Sequence, residues 1–263
     1  MGAYLFKAKT QILVGLTYRF EVFATLLTRY IQIVATVFLW QCVYASKASI
    51  KGMTKEQMIT WTVLAAGLSI IFTTQVQNEI RRGVVRGDIA VELIKPCNLM
   101  GMYFAQDIGS MVVNIVMRFI PTVILGGITF GIMMPVNSAN FALCMISIAA
   151  GYVITWLLFA ITGAFAFWAM ELGNLTWGVS TLISILSGNL VPLYFFPESV
   201  QRVLAWLPFQ YTYQTPLALY VGKITWAEGI EQIIIQIFWI TLLFGVLSFL
   251  WSKIRKNILV QGG

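Results

Sequence analysis

Histidine is missing from this 263-residue chain altogether, and charge is scarce: Asp, Glu, Lys and Arg make up 10% of it against 59% hydrophobic residues. The first absence removes the commonest general base, pH switch and metal ligand together. The second excludes an ordinary water-soluble domain, which carries roughly 25% charge. A chain this poor in polar cover needs a second, apolar solvent, and that solvent is lipid. The three cysteines, Cys42, Cys97 and Cys144, are far apart and form no CxxC. They imply packing, with no disulfide framework or zinc site. No phosphate-binding GxxxxGK[ST] occurs, since the only lysine followed by Ser or Thr is Lys9, before Thr10, with no glycine ahead of it. The opening MGAYLFKAKT lacks the apolar core of a secretory signal, and Phe6 stands where N-myristoylation wants Ser or Thr.

What is present is a series of long uncharged stretches. A hydrocarbon core takes roughly 20 apolar residues per helical crossing. The stretches between charges predict six spans, near 23–45, 57–78, 105–132, 141–170, 177–195 and 231–252. Pro135, Asn137, Ser138 and Asn140 split the long uncharged run between Arg118 and Glu171. The whole chain reads as one all-α transmembrane domain, 1–263. The net charge of +7 reflects basic residues flanking apolar spans and not nucleic-acid binding. With both termini cytoplasmic, ten basic residues fall inside (Lys7, Lys9, Arg19, Arg81, Arg82, Arg86, Lys95, Lys253, Arg255, Lys256) and five outside (Lys47, Lys51, Lys55, Arg202, Lys223). The bias favours that orientation, and the three lysines at 47–55 dissent from it.

Residues 1–22 pattern as an amphipathic helix, with Leu5, Ile12, Leu13, Leu16 and Phe20 on one face. An interfacial helix is expected, the alternative being the first turns of a long first span. Segment 196–230 is too long for a turn and too apolar for a solvated loop, and Pro197, Pro208 and Pro216 interrupt it. A helical hairpin re-entering the outer leaflet is expected there.

The inner loop 79–104 carries the most informative pattern. Gly83 and Gly87 permit tight turns, Asp88 is a good N-cap, Glu92 suits a first helical turn, and Pro96 stops the helix. A short helix near 89–94 beside three arginines follows. It reads as a docking element for a cytoplasmic partner, or more simply as a basic loop held by anionic lipid. On the third span Asp107, Asn114 and Arg118 share one stripe. Arg118 falls at a depth where charge is costly and must face protein or water. Asp107, eleven residues away or roughly 16 Å along a helix, is too far to pair with it. Arg29, Gln32 and Thr36 form a similar stripe on the first span. Such stripes line a wet pathway or subunit interface, or serve packing alone. Gly127 and Gly131 make a GxxxG step suited to close helix packing. The tryptophans, including Trp40, Trp61, Trp168, Trp177, Trp226 and Trp251, read as an interfacial belt.

The Gly87-Asp88-Ile89 step followed by Leu93-Ile94-Lys95-Pro96 resembles the inner-loop signature of type-2 ABC exporter permeases. The series Ser187-Gly188, Pro192, Phe196-Pro197, Leu207-Pro208-Phe209 and Pro216 is similar to that family's fifth span and outer re-entrant region. More narrowly, the pattern is similar to the subfamily usually encoded beside a second permease and a separate ATPase. The resemblance implies a transmembrane subunit of an ATP-driven exporter in a bacterial cell membrane, moving an amphiphilic or lipophilic compound outward. It would have no catalytic, cofactor or metal site of its own, ATP and Mg being bound by cytoplasmic ATPase subunits. Glu79, Arg82, Gly83, Gly87, Asp88 and Pro96 would couple it to them. Arg118 and Asn114 would line the pathway, and Phe195, Phe196, Trp206, Phe209 and Tyr213 the outer gate. A non-transporting membrane anchor or assembly factor is the alternative. Whether the second permease is identical or paralogous, and what is carried, is left open.

Overall fold

The computed structural model describes residues 2–17, 19–86, 98–167 and 173–261. Helix dominates. In chain order the helices are α1 (Gly2–Thr17), α2 (Arg19–Val43), α3 (Lys55–Ile71), α4 (Val76–Arg86) and α5 (Leu99–Asn114). After a π turn (Ile115–Phe119) come α6 (Ile120–Phe130), α7 (Ser138–Ala164), α8 (Gly173–Leu186), α9 (Glu198–Ala205), α10 (Gln214–Tyr220) and α11 (Trp226–Gln261). Among the described residues five stretches are long and apolar enough to cross a membrane: Phe20–Val43, Lys55–Val84, Leu99–Phe130, Ser138–Ala164 and Trp226–Arg255. The apolar part of α8, Trp177–Leu186, is shorter than a full crossing. The expected fifth span therefore ends early, at Ser187–Gly188, where Gly188 takes φ +81°.

Local chemistry sets the helix starts. Thr54 and Gln57 form a reciprocal capping box at α3. Asn98 opens α5 by accepting from Gly101 N. Asn137 opens α7 by accepting from Asn140 N at 2.6 Å, which explains why the polar cluster at 135–140 divides two spans. Among the described residues one feature departs from all-α. Ser49–Ile50 and Met53–Thr54 form a two-stranded hairpin, β1 and β2, turned by Lys51 and Gly52 at φ 50° and 71°. Lys223 Nζ donates to the Lys51 and Gly52 carbonyls of that turn.

Packing bears on three expectations. The N-terminal helix is an element separate from α2 and is docked along α5. Tyr4 meets Gly101, Gly109 meets the Ala8 backbone, and Gly15 meets Val113, so the two helices run in the same direction. The docking face is the small-residue side, while Leu5, Leu13, Leu16 and Phe20 stay exposed, leaving them free for lipid. Second, the GxxxG step is not the close-packing site: a Cβ on Gly131 would meet nothing, whereas one on neighbouring Gly126 would come within 2.5 Å of the Val63 side chain. Third, the tryptophans are not all a belt. Trp177 and Trp226 are exposed, but Trp40, Trp61 and Trp251 are buried, and Trp61 Nε1 donates to Gly188 O at 3.0 Å.

Segment 196–230 folds as two short helices, α9 and α10, joined by a 3-10 turn at Pro208–Tyr211. Residues 211–219 are buried, and Gln214 holds the excursion to the end of α8: Gln214 N donates to Ser187 O and Gln214 Oε1 accepts from Leu193 N. The stretch expected as a loop from 79 to 104 is helical at both ends, through Arg86 and again from Leu99. Gly87, Asp88, Pro96 and the short helix at 89–94 lie outside the described residues.

Candidate functional site

The second span is broken. After Ile71 the backbone leaves the helix for Phe72–Gln75 and restarts at Val76. No proline or glycine marks the break. A break within an apolar span frees carbonyls from the end of α3 and amides at the start of α4, and each must find a partner. One polar stripe on α5 supplies both. Asn114 Nδ2 donates to Ile70 O at 3.3 Å. Asp107 Oδ1 accepts from Gln75 N at 3.0 Å, and its other oxygen accepts from Trp156 Nε1 of α7 at 3.0 Å. Asp107 is 1% exposed. A carboxylate at a helix N-terminus also meets the positive end of the macrodipole. Asp107 thus ties three elements together: the start of α4, α5 and α7.

Downstream of that tie, Glu79 lies one turn into α4. It accepts from Arg82 at 2.6 Å and from Gln106 Nε2 at 3.3 Å, a second link from α4 to α5. On the far side α4 lies close against α7, where a Cβ on Gly163 would come within 2.8 Å of Gln77 Cα.

Arg118 occupies the π turn. Pro121 explains it: the residue has no N–H, and its ring would meet the carbonyl four residues back in a regular helix. The chain widens instead, and Ile120 N bonds to Ile115 O. Wide turns of this kind are frequent at functional sites. Arg118 lies twelve residues before Phe130, about 18 Å along the helix. It donates to Asn114 Oδ1 at 2.7 Å and to Glu21 Oε1 at 2.9 Å. Glu21, at the start of α2, is therefore the acidic partner that the position of Asp107 excluded.

The α1, α2, α4 and α5 side chains around these groups enclose a cleft of about 320 Å³. Two ion pairs line it, Glu21–Arg118 and Glu79–Arg82, together with Gln11, Gln106, Ser110 and Asn114, and with Val14 and Val113 as apolar wall. Among the candidate residues Glu79, Arg82, Asn114 and Arg118 thus share one cleft. Gly83 lies in α4 outside it.

Of the five aromatic gate candidates, Tyr213 and Phe195 pack into one apolar cluster. Tyr213 is buried and meets Phe72 edge-on at 4.9 Å, and Phe195 packs on Trp40 at 5.3 Å. Phe196 and Phe209 are half-buried, and Trp206 is 83% exposed. A second cleft, of about 270 Å³, opens beside them, lined by Gln201, Gln210, Gln214, Gln232 and Tyr194.

Sequence reasoning found the Asp107–Asn114–Arg118 stripe but not what it serves. Trp156, Gln106 and Glu21 carried no local signal, since each matters only through a partner on another helix. Pro121 was the one readable sign of the π turn. Among the described residues no group of His, Cys, Asp and Glu is arranged to hold a metal.

Fold and site together define a multi-span helical membrane protein whose second span is interrupted between Ile71 and Val76 and pinned there by buried polar side chains. The model of the ABC-2 family transporter protein matches residues 30–257, and the chain belongs to that family: it is a transmembrane component of an ABC transporter. No curated protein matches the chain.

Proposed function

We propose that this chain is the permease subunit of an ATP-driven exporter, moving an amphiphilic or lipophilic compound out of the cytoplasm or inner leaflet. It works with separate cytoplasmic ATPase subunits and a second permease, in a bacterial cell membrane with both its termini cytoplasmic. The observation that carries the reading is the interrupted second span. A continuous helix would transmit a push from its inner end along its whole length. Here α4 is a separate lever, joined to α3 by four non-helical residues and hinged on Asp107. Its end at Arg86 leads directly into the segment that resembles the family's ATPase-docking loop. Glu79, Arg82 and Gly83 ride on this lever, with Gly87, Asp88 and Pro96 following it in sequence. Force on the loop would reach the ion-paired cleft before any other intramembrane feature, because Glu79 and Arg82 line both.

A second permease is supported by α2. Only 11% of its most apolar stretch is buried by the rest of the chain, yet it carries Arg29, bonded to Gln32 at 2.9 Å. A charged stripe on so open a span is costly in lipid, and a second subunit would cover it. Arg118 and Asn114 would line the inner part of the pathway. Phe195, Phe196, Phe209 and Tyr213 would close its outer end, with Trp206 at the rim, where the two excursion helices dip into the outer leaflet.

The test is reconstitution of the chain with its co-purifying ATPase in proteoliposomes. ATP-dependent extrusion of fluorescent amphiphiles is expected from the complex and not from the chain alone. A complex that assembles and hydrolyses ATP yet moves no amphiphile would favour the anchor reading. ATP hydrolysis by the purified single chain would overturn the division of labour.

A further inference from the structure

We infer that the cleft beside the π turn binds the anionic headgroup of an acyl-chain amphiphile, with Arg118 as its fixed cation and Glu21 as the internal anion it displaces. The inference deepens the proposed export of amphiphiles, on which it rests, by naming the charge of the cargo's head.

The two halves of the Arg118–Glu21 pair are unlike. The Arg118 side chain is 17% exposed and that of Glu21 64%. Arg118 is held in place by the widened turn and by Asn114, itself buried and bonded to the end of α3. Glu21 stands at the first turn of α2, and among the described residues Arg118 is its only side-chain partner. One ion is therefore fixed and largely desolvated, and the other is solvated and free to swing. A cation at this depth needs an anion beside it, but nothing requires that anion to be Glu21.

A second observation points the same way. Arg118 Nε is buried and has no acceptor among the described residues. A guanidinium presents five donors in a planar fork suited to carboxylate or phosphate oxygens. Here Asn114 and a single oxygen of Glu21 use two of its nitrogens. A phosphate, with more acceptor oxygens than one carboxylate, would satisfy what Glu21 leaves open.

The other ion pair in the cleft does not offer a rival anion site of the same kind. Arg82 is half exposed and spends its bonds on Glu79 and the Asn78 carbonyl. Glu79 is held by both Arg82 and Gln106, so it is no free site for a cationic head. The wall adds Val14 and Val113. The outward face of the same helix carries exposed Val112, Val116, Met117 and Ile120. A head at Arg118 would thus leave its chain a route along an apolar, lipid-accessible surface.

The test uses the chain alone in dodecyl maltoside, without ATPase or nucleotide. Dodecyl phosphate, inorganic phosphate and dodecyltrimethylammonium are titrated by calorimetry. Dodecyl phosphate is expected to bind, inorganic phosphate far more weakly, and the cationic analogue not at all. Glu21→Gln should tighten dodecyl phosphate about two- to fivefold, since it removes only an exposed competing pair. Arg118→Gln should weaken it roughly 10- to 100-fold, as expected for charged hydrogen bonds. Arg118→Lys should fall between, keeping charge without the fork. Preferential binding of the cation, or equal binding of dodecyl phosphate by wild type and Arg118→Gln, overturns the assignment. Equal affinity for inorganic phosphate removes the amphiphile from it. If Arg118→Gln does not fold, Glu21→Gln decides, and unchanged affinity there refutes the displacement. Binding without transport leaves the headgroup site standing and sinks the export reading. Transport of a cationic amphiphile with no anion binding does the reverse.

Discussion

Removing the Asp107 carboxylate should loosen the second span at its break. In the native arrangement one oxygen takes the Gln75 amide and the other the Trp156 indole. Asp107→Asn keeps the shape but offers one acceptor and one NH2. Whichever way the amide turns, one donor faces another donor. A hydrogen bond to a charged group contributes about 1.5–3 kcal/mol, and a buried donor left without a partner costs about 1–3 kcal/mol. Asp107→Asn should therefore destabilise the fold by about 2–4 kcal/mol, and Asp107→Ala by somewhat more because it also opens a void. Trp156→Phe removes the indole donor while keeping most of the packing, so alone it should cost less. The diagnostic quantity is the coupling. In the Asp107→Asn background the Trp156→Phe change should cost about 1.5–3 kcal/mol less than in the wild type. Reversible unfolding in mixed micelles, followed by tryptophan fluorescence, measures all four corners of the cycle. Additivity within about 0.5 kcal/mol would refute the tie, because residues that do not interact add to that precision.

Gly109→Val should detach α1 by forcing a side chain into the Ala8 backbone, at about 1–3 kcal/mol or more; protease sensitivity near residue 17 reads it. Gly126→Val should destabilise by a similar amount through Val63 while Gly127→Ala is tolerated, and equal loss in both would restore the GxxxG interpretation. Arg29→Leu should leave the chain inserted but weaken its association with the second permease, read by crosslinking from Cys42, which is exposed at the end of α2. Gly87→Pro and Asp88→Lys should insert normally and lose ATPase co-purification or coupled transport; wild-type behaviour of both would return the loop to the lipid-bound alternative.

Much of the fold was legible because length and charge decide it. Uncharged runs of twenty residues have few alternatives to a membrane crossing, and Asn137 and Asn98 mark their starts through ordinary capping chemistry. The break at 72–75 was not legible, and the reason is physical. Thr73, Thr74 and Gln75 neither forbid helix nor demand a turn. The helix ends there because Asp107 and Asn114, more than thirty residues later, take up the freed amide and carbonyl groups. A stripe of polar residues on one span was visible; that it answers a defect in another span is a tertiary fact. The same holds for α1. Its leucine face was the strong periodic signal, yet the docking face is made of Tyr4, Ala8 and Gly15, residues too small or mixed to register as a stripe. In membranes close approach comes from small residues, not apolar ones, so hydrophobic periodicity marks the side turned to lipid.

That inversion bears on how the parts act together. If α3 ran unbroken into α4, Asn114 would have no carbonyl to cap and could not brace Arg118 from a fixed position. If α5 ran unbroken into α6 without the π turn, Pro121 would force a kink where Arg118 and Asn114 now lie within bonding distance. The two irregularities share one side chain, since Asn114 caps the break at Ile70 and accepts from Arg118 of the π turn. A movement of α4 that stretches the Asp107–Gln75 bond would shift the end of α3 as well, since α5 holds both sides of the break. The Ile70–Asn114 contact would then change, and with it the brace on Arg118. Tilting the lever would alter the cation's surroundings through six residues, Gln75, Asp107, Ile70, Asn114, Arg118 and Glu21, without any rearrangement of the rest of the bundle.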